Sequence, residues 1–383
     1  MARLDLSRCV THVHRMFTPG PALSAFGPAP RLPPVSSSEP ALDLPARGDV
    51  NAEMGRRVRS LAGWRLTAAG PLIAALTVVI ALFVTDRAGF AFRDPDHVAV
   101  LYILEVGAGV ALLIALDVYL RAARRTRRRR PSRAAMSKVR RERWTLGRAT
   151  AVAIALVSFY VTYLAYRNLK AAVPLLRPGE LFDGQLADAD RFLFFGHDPA
   201  VLLQGLIGEG VSAHVLSTLY VAFIVFLPLS LGLALVFSER LQVSLFYAAA
   251  LSLNWLLGAA TYFLLPALGP IYVDPATFAS LPHTEVTYLQ QLLLEQRVGF
   301  LDDPANGTPQ AIAAFASLHI AMSFTALLAA YLLDLGRRVK QALWVWLALT
   351  FVATIHLGWH YVVDDLAGLV IGAGALMLAR MVT

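Results

Sequence analysis

Apolar positions in this chain gather into long uninterrupted runs, without the alternation of half-buried strands or the three-to-four spacing of soluble amphipathic helices. An α-helix needs about 20 apolar residues to cross the hydrocarbon core of a bilayer. Eight runs reach or approach that length, near 66–85, 98–120, 147–167, 213–237, 243–266, 312–334, 341–358 and 361–381. The predicted fold is all-α: a polytopic integral-membrane helical bundle of about eight transmembrane helices. With 57% hydrophobic and only 16% charged residues, a soluble globule is excluded.

The polar stretches between the runs divide the chain. Residues 1–55, rich in Pro, Ser, Ala and Gly, read as a disordered cytoplasmic tail. Residues 56–146 hold two additional transmembrane helices and a basic loop, and 147–383 hold the other six helices. Residues 1–20 lack the apolar core of a signal peptide, so the first run reads as an uncleaved anchor. Cys9 is the only cysteine, which excludes an intrachain disulfide. In the connection 168–212, the run Phe192-Leu193-Phe194-Phe195-Gly196-His197-Asp198-Pro199 reads as a re-entrant or interfacial element. Asp198 before Pro199 predicts a helix N-cap with proline at the first helical position. Residues 286–300 form an amphipathic stretch predicted to lie on the membrane surface. Glu105, inside the second run, is expected to hydrogen-bond to a neighbouring helix.

Charge fixes an expected orientation. The chain carries +8, yet residues 121–143 hold twelve Lys or Arg against one acid, Glu142, so this loop carries +11 and the remainder −3. An excess confined to one loop between spans reads as a cytoplasmic determinant touching anionic lipid headgroups. Nucleic-acid binding is set aside because no aromatic residues interleave the run. Both termini are then cytoplasmic, and 86–97, 168–212, 267–311 and the turn at 359–360 lie outside. The Arg- and Ala-rich composition points to a bacterial plasma membrane.

Three polar clusters fall on that outer side, and ionisable groups at membrane depth are rare and usually functional. Residues 354–368 read Thr-Ile-His-Leu-Gly-Trp-His-Tyr-Val-Val-Asp-Asp-Leu-Ala-Gly. His360 and Asp364 stand four apart, on one helix face. A carboxylate beside an imidazole fixes its tautomer, which makes the ring a competent nucleophile or base. Lys170 and Arg177, the latter followed by Pro178, suit phosphate oxygens; alone they would be ordinary interfacial cations. Ser317 and His319 stand where a helix begins, a place that favours an anion, and His319 could protonate a leaving oxygen. Alone it would be a packing histidine. A metal held by His319, His360 and Asp364 is chemically available, but Lys170 and Arg177 would repel it, so neither a metal nor a cofactor is expected.

The order Lys-x6-Arg-Pro, Ser-x-His, His-x3-Asp across 147–381 resembles the three-part signature of the type-2 phosphatidic acid phosphatase superfamily. That superfamily contains membrane lipid phosphatases, phosphotransferases and soluble vanadium haloperoxidases. The resemblance implies a six-helix phosphatase-type core in which Lys170, Arg177 and Ser317 bind phosphate. It makes His319 the general acid, His360 the nucleophile that forms a phosphohistidine, and Asp364 its orienting partner. Three positions depart from the pattern. Ala316 and Leu318 flank Ser317 where the usual motif is Pro-Ser-Gly-His, and Thr354 stands where an arginine usually precedes the nucleophile by six. Ser-Leu-His with that threonine resembles the inositol phosphorylceramide synthase branch, which implies a phosphotransferase with a phospholipid or polyprenyl-phosphate donor and a polyol (inositol) acceptor. A lipid phosphatase using water shares the same intermediate. A transporter or scaffold, the reading from another class, leaves the acid, nucleophile and carboxylate set without a purpose. His356 reads as structural.

Overall fold

The thirteen α-helices of the described residues begin with α1 (Arg47–Arg87) and α2 (Val98–Thr126), joined through a short polar connection. The computed structural model describes residues 47–94 and 98–383, with side chains for 65–94 and 100–383. Of the expected tail, residues 1–46 lie outside the described residues, and α1 starts at Arg47. The chain continues through α3 (Arg133–Arg143), α4 (Leu146–Leu176), α5 (Asp183–Leu193), α6 (Pro199–Ile207), α7 (Val211–Phe237), α8 (Leu241–Leu264) and the single turn α9 (Pro270–Val273). It ends with α10 (Glu285–Asp302), α11 (Leu318–Leu332), α12 (Arg337–His356) and α13 (Val362–Val382). Among the described residues there is no strand.

Among the described residues, seven helices are long and apolar enough to cross a membrane: Arg65–Arg87 within α1, Val100–Thr126 within α2, and α4, α7, α8, α12 and α13. The predicted run at 312–334 is the exception. Its helix α11 is only 15 residues long, and the residues before Leu318 are irregular. That segment is enclosed by protein, with Ala311, Ala314, Ala316 and Ser317 buried. Its amides are satisfied by distant acceptors: Ala314 N–H donates to the Ala267 carbonyl (2.9 Å), Ala316 N–H to Thr261 Oγ1 (3.1 Å), and Ser317 N–H to the Asp364 carbonyl (3.0 Å). Non-helical backbone at membrane depth survives only under such cover.

Helix α8 is the axis of the bundle, packing against α4, α13 and α11. Small residues let the helices approach closely. A Cβ on Gly368 of α13 would lie 2.5 Å from the Ser317 carbonyl, and one on Gly372 would lie 2.5 Å from the Ala321 carbonyl. These two glycines press α13 against the start of α11. Helix α1 packs through Ala69 and Ile73 onto α8 and α13. Helix α2 packs against α3, α4 and α7. Glu105 is exposed and makes no helix–helix hydrogen bond among the described residues.

The basic loop is partly folded into the protein. Asp117, 1% exposed, accepts from Arg121 Nε (2.6 Å), Arg143 Nε (2.8 Å) and Trp144 Nε1 (3.2 Å). Arg143 and Arg148 also donate to the carbonyls of Val236 and Ser238 at the C-terminal end of α7, the negative end of its dipole. Residues 127–130, all arginine, stay exposed.

On the other side of the bundle, α5 and α6 replace the expected loop. Asp198 caps α6 as its sequence predicts, with Oδ1 accepting from Ala200 N–H at 2.8 Å and Pro199 at the first position. Phe192 and Phe195 are 85% and 94% exposed, between the ends of two membrane helices, which suits an interfacial element. The 286–300 stretch lies in α10, but three of its residues are buried against the bundle. Val286 N–H donates to Ser217 Oγ of α7, and Gln290 Nε2 donates to the Leu357 carbonyl.

Candidate active site

The turn between α12 and α13 carries the centre of the site. Trp359 and His360 both donate their N–H to the Thr354 carbonyl (2.9 and 3.2 Å), which folds the chain sharply after α12. Tyr361 is the N-cap of α13 and its N–H donates to Asp364 Oδ2 at 3.0 Å. The same oxygen lies 3.4 Å from His360 Nδ1. The four-residue spacing therefore brings ring and carboxylate together, with Nε2 on the far side of the imidazole. Asp364 is fully buried and His360 is 6% exposed.

His319, in the first turn of α11, brings its ring centroid to 5.9 Å from that of His360. At this separation both imidazoles can contact one phosphoryl group. The His319 ring sits between Tyr220 and Phe223 of α7, 4.5 Å from each centroid, and Tyr220 stacks on Trp359 at 5.0 Å. These aromatic rings wall the histidine pair and hold the His319 plane. Lys170 lies within α4, which runs nine residues past the expected end of its span. Its Nζ is 5.8 Å from the Tyr262 ring, and its charge reaches both His319 and His360.

Arg177 is placed differently. It terminates α4 and donates to the carbonyls of Phe263 and Leu264 and to Glu180. Its guanidinium is thus occupied at the C-terminal end of α8, and a phosphate contact would require it to leave Glu180. Ser317 is the N-cap of α11 and is fully buried. Its hydroxyl faces Asp365 without closing a hydrogen bond, while Thr354 Oγ1 donates to Asp365 Oδ2 at 2.7 Å. His356 is also fully buried, with neither ring nitrogen hydrogen-bonded.

Two aspartates that the motifs did not flag hold this arrangement from α5. Asp183 accepts from the N–H groups of Leu268 (2.9 Å) and Gly269 (2.8 Å) and from the Tyr361 hydroxyl (3.3 Å). Asp190 accepts from Val362 N–H (2.7 Å) and Val363 N–H (3.0 Å), capping α13 from another helix. Free N–H groups at a helix start need such acceptors. Their seven-residue separation puts both on the inward face of α5, and that spacing was the available signal. Burial pushes the Asp190 carboxyl up, opposed by its two backbone hydrogen bonds.

Burial, and then the charge of Lys170, push the His360 imidazole down to about 3, against a smaller pull from the Ala314 carbonyl. The ring is therefore neutral at pH 7, as a nitrogen nucleophile must be. A histidine lowered in the fold favours the native state fully above its unfolded value near 6.5, and that advantage falls away as pH drops toward 3. The imidazole resonances of His360, assigned against His360→Ala, should remain those of a neutral ring from pH 8 to 5. A midpoint near 6.5 would mean that the ring is open to water.

No group of three or more His, Cys, Asp or Glu able to hold a metal occurs among the described residues. No curated protein matches the chain, and no solved structure does. A family model described as the PAP2 superfamily matches residues 184–378. The matched region contains Ser317, His319, His360 and Asp364 and begins after Lys170 and Arg177. Two histidines and a carboxylate meet in a membrane helical bundle, and the match spans half of the sequence: the chain belongs to the PAP2 superfamily.

Proposed function

We propose that the protein transfers the phosphoryl group of a membrane lipid phosphate through a phosphohistidine at His360. The observation that carries this reading is the His360 Nδ1 to Asp364 Oδ2 approach at 3.4 Å, with His319 across from the same ring. In the first step Nε2 of His360 attacks phosphorus, the bond to the lipid oxygen breaks, and His319 gives that oxygen its proton. In the second step a hydroxyl attacks phosphorus, His319 takes its proton, and the N–P bond breaks. A bound phosphate dianion supplies the negative charge that a protonated His319 needs in its aromatic wall. Lys170 stabilises the charge on the phosphoryl oxygens. The α5–α6 side of the bundle faces outward, and the arginine-rich α2–α3 turn faces the cytoplasm and anionic headgroups.

Transfer to a polyol, as in the inositol branch, is the second reading, and it rests on Leu318 and Thr354. Both have local partners of their own. Leu318 fills a notch at Gly258, where a Cβ would come within 2.7 Å of it, and Thr354 bonds Asp365. Water is therefore the simpler acceptor.

The test uses purified protein with phospholipids and polyprenyl phosphates, with and without inositol or other polyols, following free phosphate and new lipids together. Phosphate release that His360→Ala abolishes is the expected result. A headgroup-exchanged lipid would establish the transferase. Absence of any His360-dependent product would refute the phosphohistidine reading.

A further inference from the structure

We propose that Arg167, Lys170 and Arg297 form an anion subsite at the junction of α4 and α10, which receives a phosphate of the substrate headgroup. The proposal deepens the functional reading above and rests on it for the identity of the ligand. Arg297 lies outside the sequence motifs and on a helix not expected to belong to the site.

Packing places the three cations together. Phe300 of α10 is fully buried against Ala171 and Ala172 of α4, with Phe90 edge-on at 5.2 Å. Arg297 precedes Phe300 by one turn, and Arg167 precedes Lys170 by one turn, so each stands beside this contact. Lys170 lies within electrostatic reach of both guanidinium groups. It also reaches the two histidines, which makes the cluster continuous with the reaction centre. Gln290, two turns before Arg297, ties the same helix to the Leu357 carbonyl beside the catalytic turn.

The charges are uncompensated. All three side chains are half-buried, and among the described residues none of them has a carboxylate partner or a hydrogen bond. The other half-buried arginines are engaged: Arg93 on three carbonyls, Arg121 and Arg143 on Asp117, Arg148 on the Ser238 carbonyl, and Arg177 on Glu180. Gathering three half-buried cations without an anion is costly, and a bound phosphate removes that cost. The positive charge also exceeds what a monoanionic phosphodiester needs, and matches a phosphomonoester dianion or a diphosphate. Guanidinium groups can bind such oxygens bidentately.

The experiment measures binding in the His360→Ala protein, where turnover does not interfere. One arm titrates inorganic phosphate, and the other uses phosphatidylcholine vesicles with and without phosphatidic acid. Adding Arg297→Gln should weaken phosphate binding roughly 10–100-fold, the loss of a charge-assisted hydrogen bond, and Arg297→Lys should recover part of it. The thermal midpoint should not fall, because Arg297 has no protein partner to lose; a purely structural role would lower it. A loss confined to the vesicle arm would assign the subsite to the lipid headgroup. Affinities within twofold of the parent in both arms, or no binding of either probe by the parent, would overturn the proposal. If phosphate binds and depends on Arg297 while the unsubstituted protein turns over no lipid phosphate, the catalytic reading fails and the subsite stands.

Discussion

His360→Ala should abolish lipid phosphate turnover, with a fall on the order of 10⁴-fold or more, since it removes the ring that Asp364 orients for attack. The companion substitution, His319→Ala, should behave differently. It removes the proton donor and costs roughly 10²–10⁴-fold on a lipid alkoxide leaving group. On p-nitrophenyl phosphate, whose leaving oxygen needs no proton, the cost should be much smaller, and a phosphorylated enzyme should accumulate when its breakdown becomes slow. Rapid quench with ³²P-labelled substrate and acid-labile, base-stable label on the protein is the measurement. Equal losses for both substrates in His319→Ala would remove His319 from the role of acid. Label that persists in His360→Ala would move the nucleophile elsewhere.

Asp190→Ala should be the most damaging change at a position outside the reacting groups. It leaves two N–H groups at the start of α13 without acceptors, one buried and one part-buried, and each lost hydrogen bond to a charged oxygen is worth about 1.5–3 kcal/mol. The expected destabilisation is therefore about 3 kcal/mol or more, read as a lowered thermal midpoint in detergent. Val362 is only two residues from His360, so the ring should also shift. A misplacement of about 1 Å is enough to lower kcat by about 10²-fold. Asp190→Asn keeps one acceptor oxygen and should fall between parent and alanine on both scales. An unchanged midpoint and kcat in Asp190→Ala would show that α13 is held by its own turn alone, through Tyr361 and Asp364.

Two of the three departures from the family pattern gain a packing account. Leu318 is the knob that occupies the gap at Gly258, and Thr354 is the donor that partners a buried second carboxyl, Asp365. In the sequence they pointed to one branch of the superfamily. In the folded chain each answers a local steric or polar need.

What the sequence determined by itself is what depends on neighbours within a few residues or on composition over one helix length. Apolar runs set seven of the membrane-length helices, the Asp198-Pro199 pair set the start of α6, and the spacing of His360 and Asp364 set their meeting on one helix face. Tertiary structure decided everything that joins distant segments. Asp190 finds its amides on α13, Asp183 finds those of Leu268 and Gly269, and Arg177 turns to α8 although its spacing suggested the phosphate. The predicted span at 312–334 became an irregular strip and a 15-residue helix because surrounding protein could take its hydrogen bonds. The reason is physical: helical period and capping are local properties of the chain. A buried carboxylate or guanidinium instead takes whichever partner the packed bundle brings within about 3 Å, and no spacing along the sequence encodes that partner.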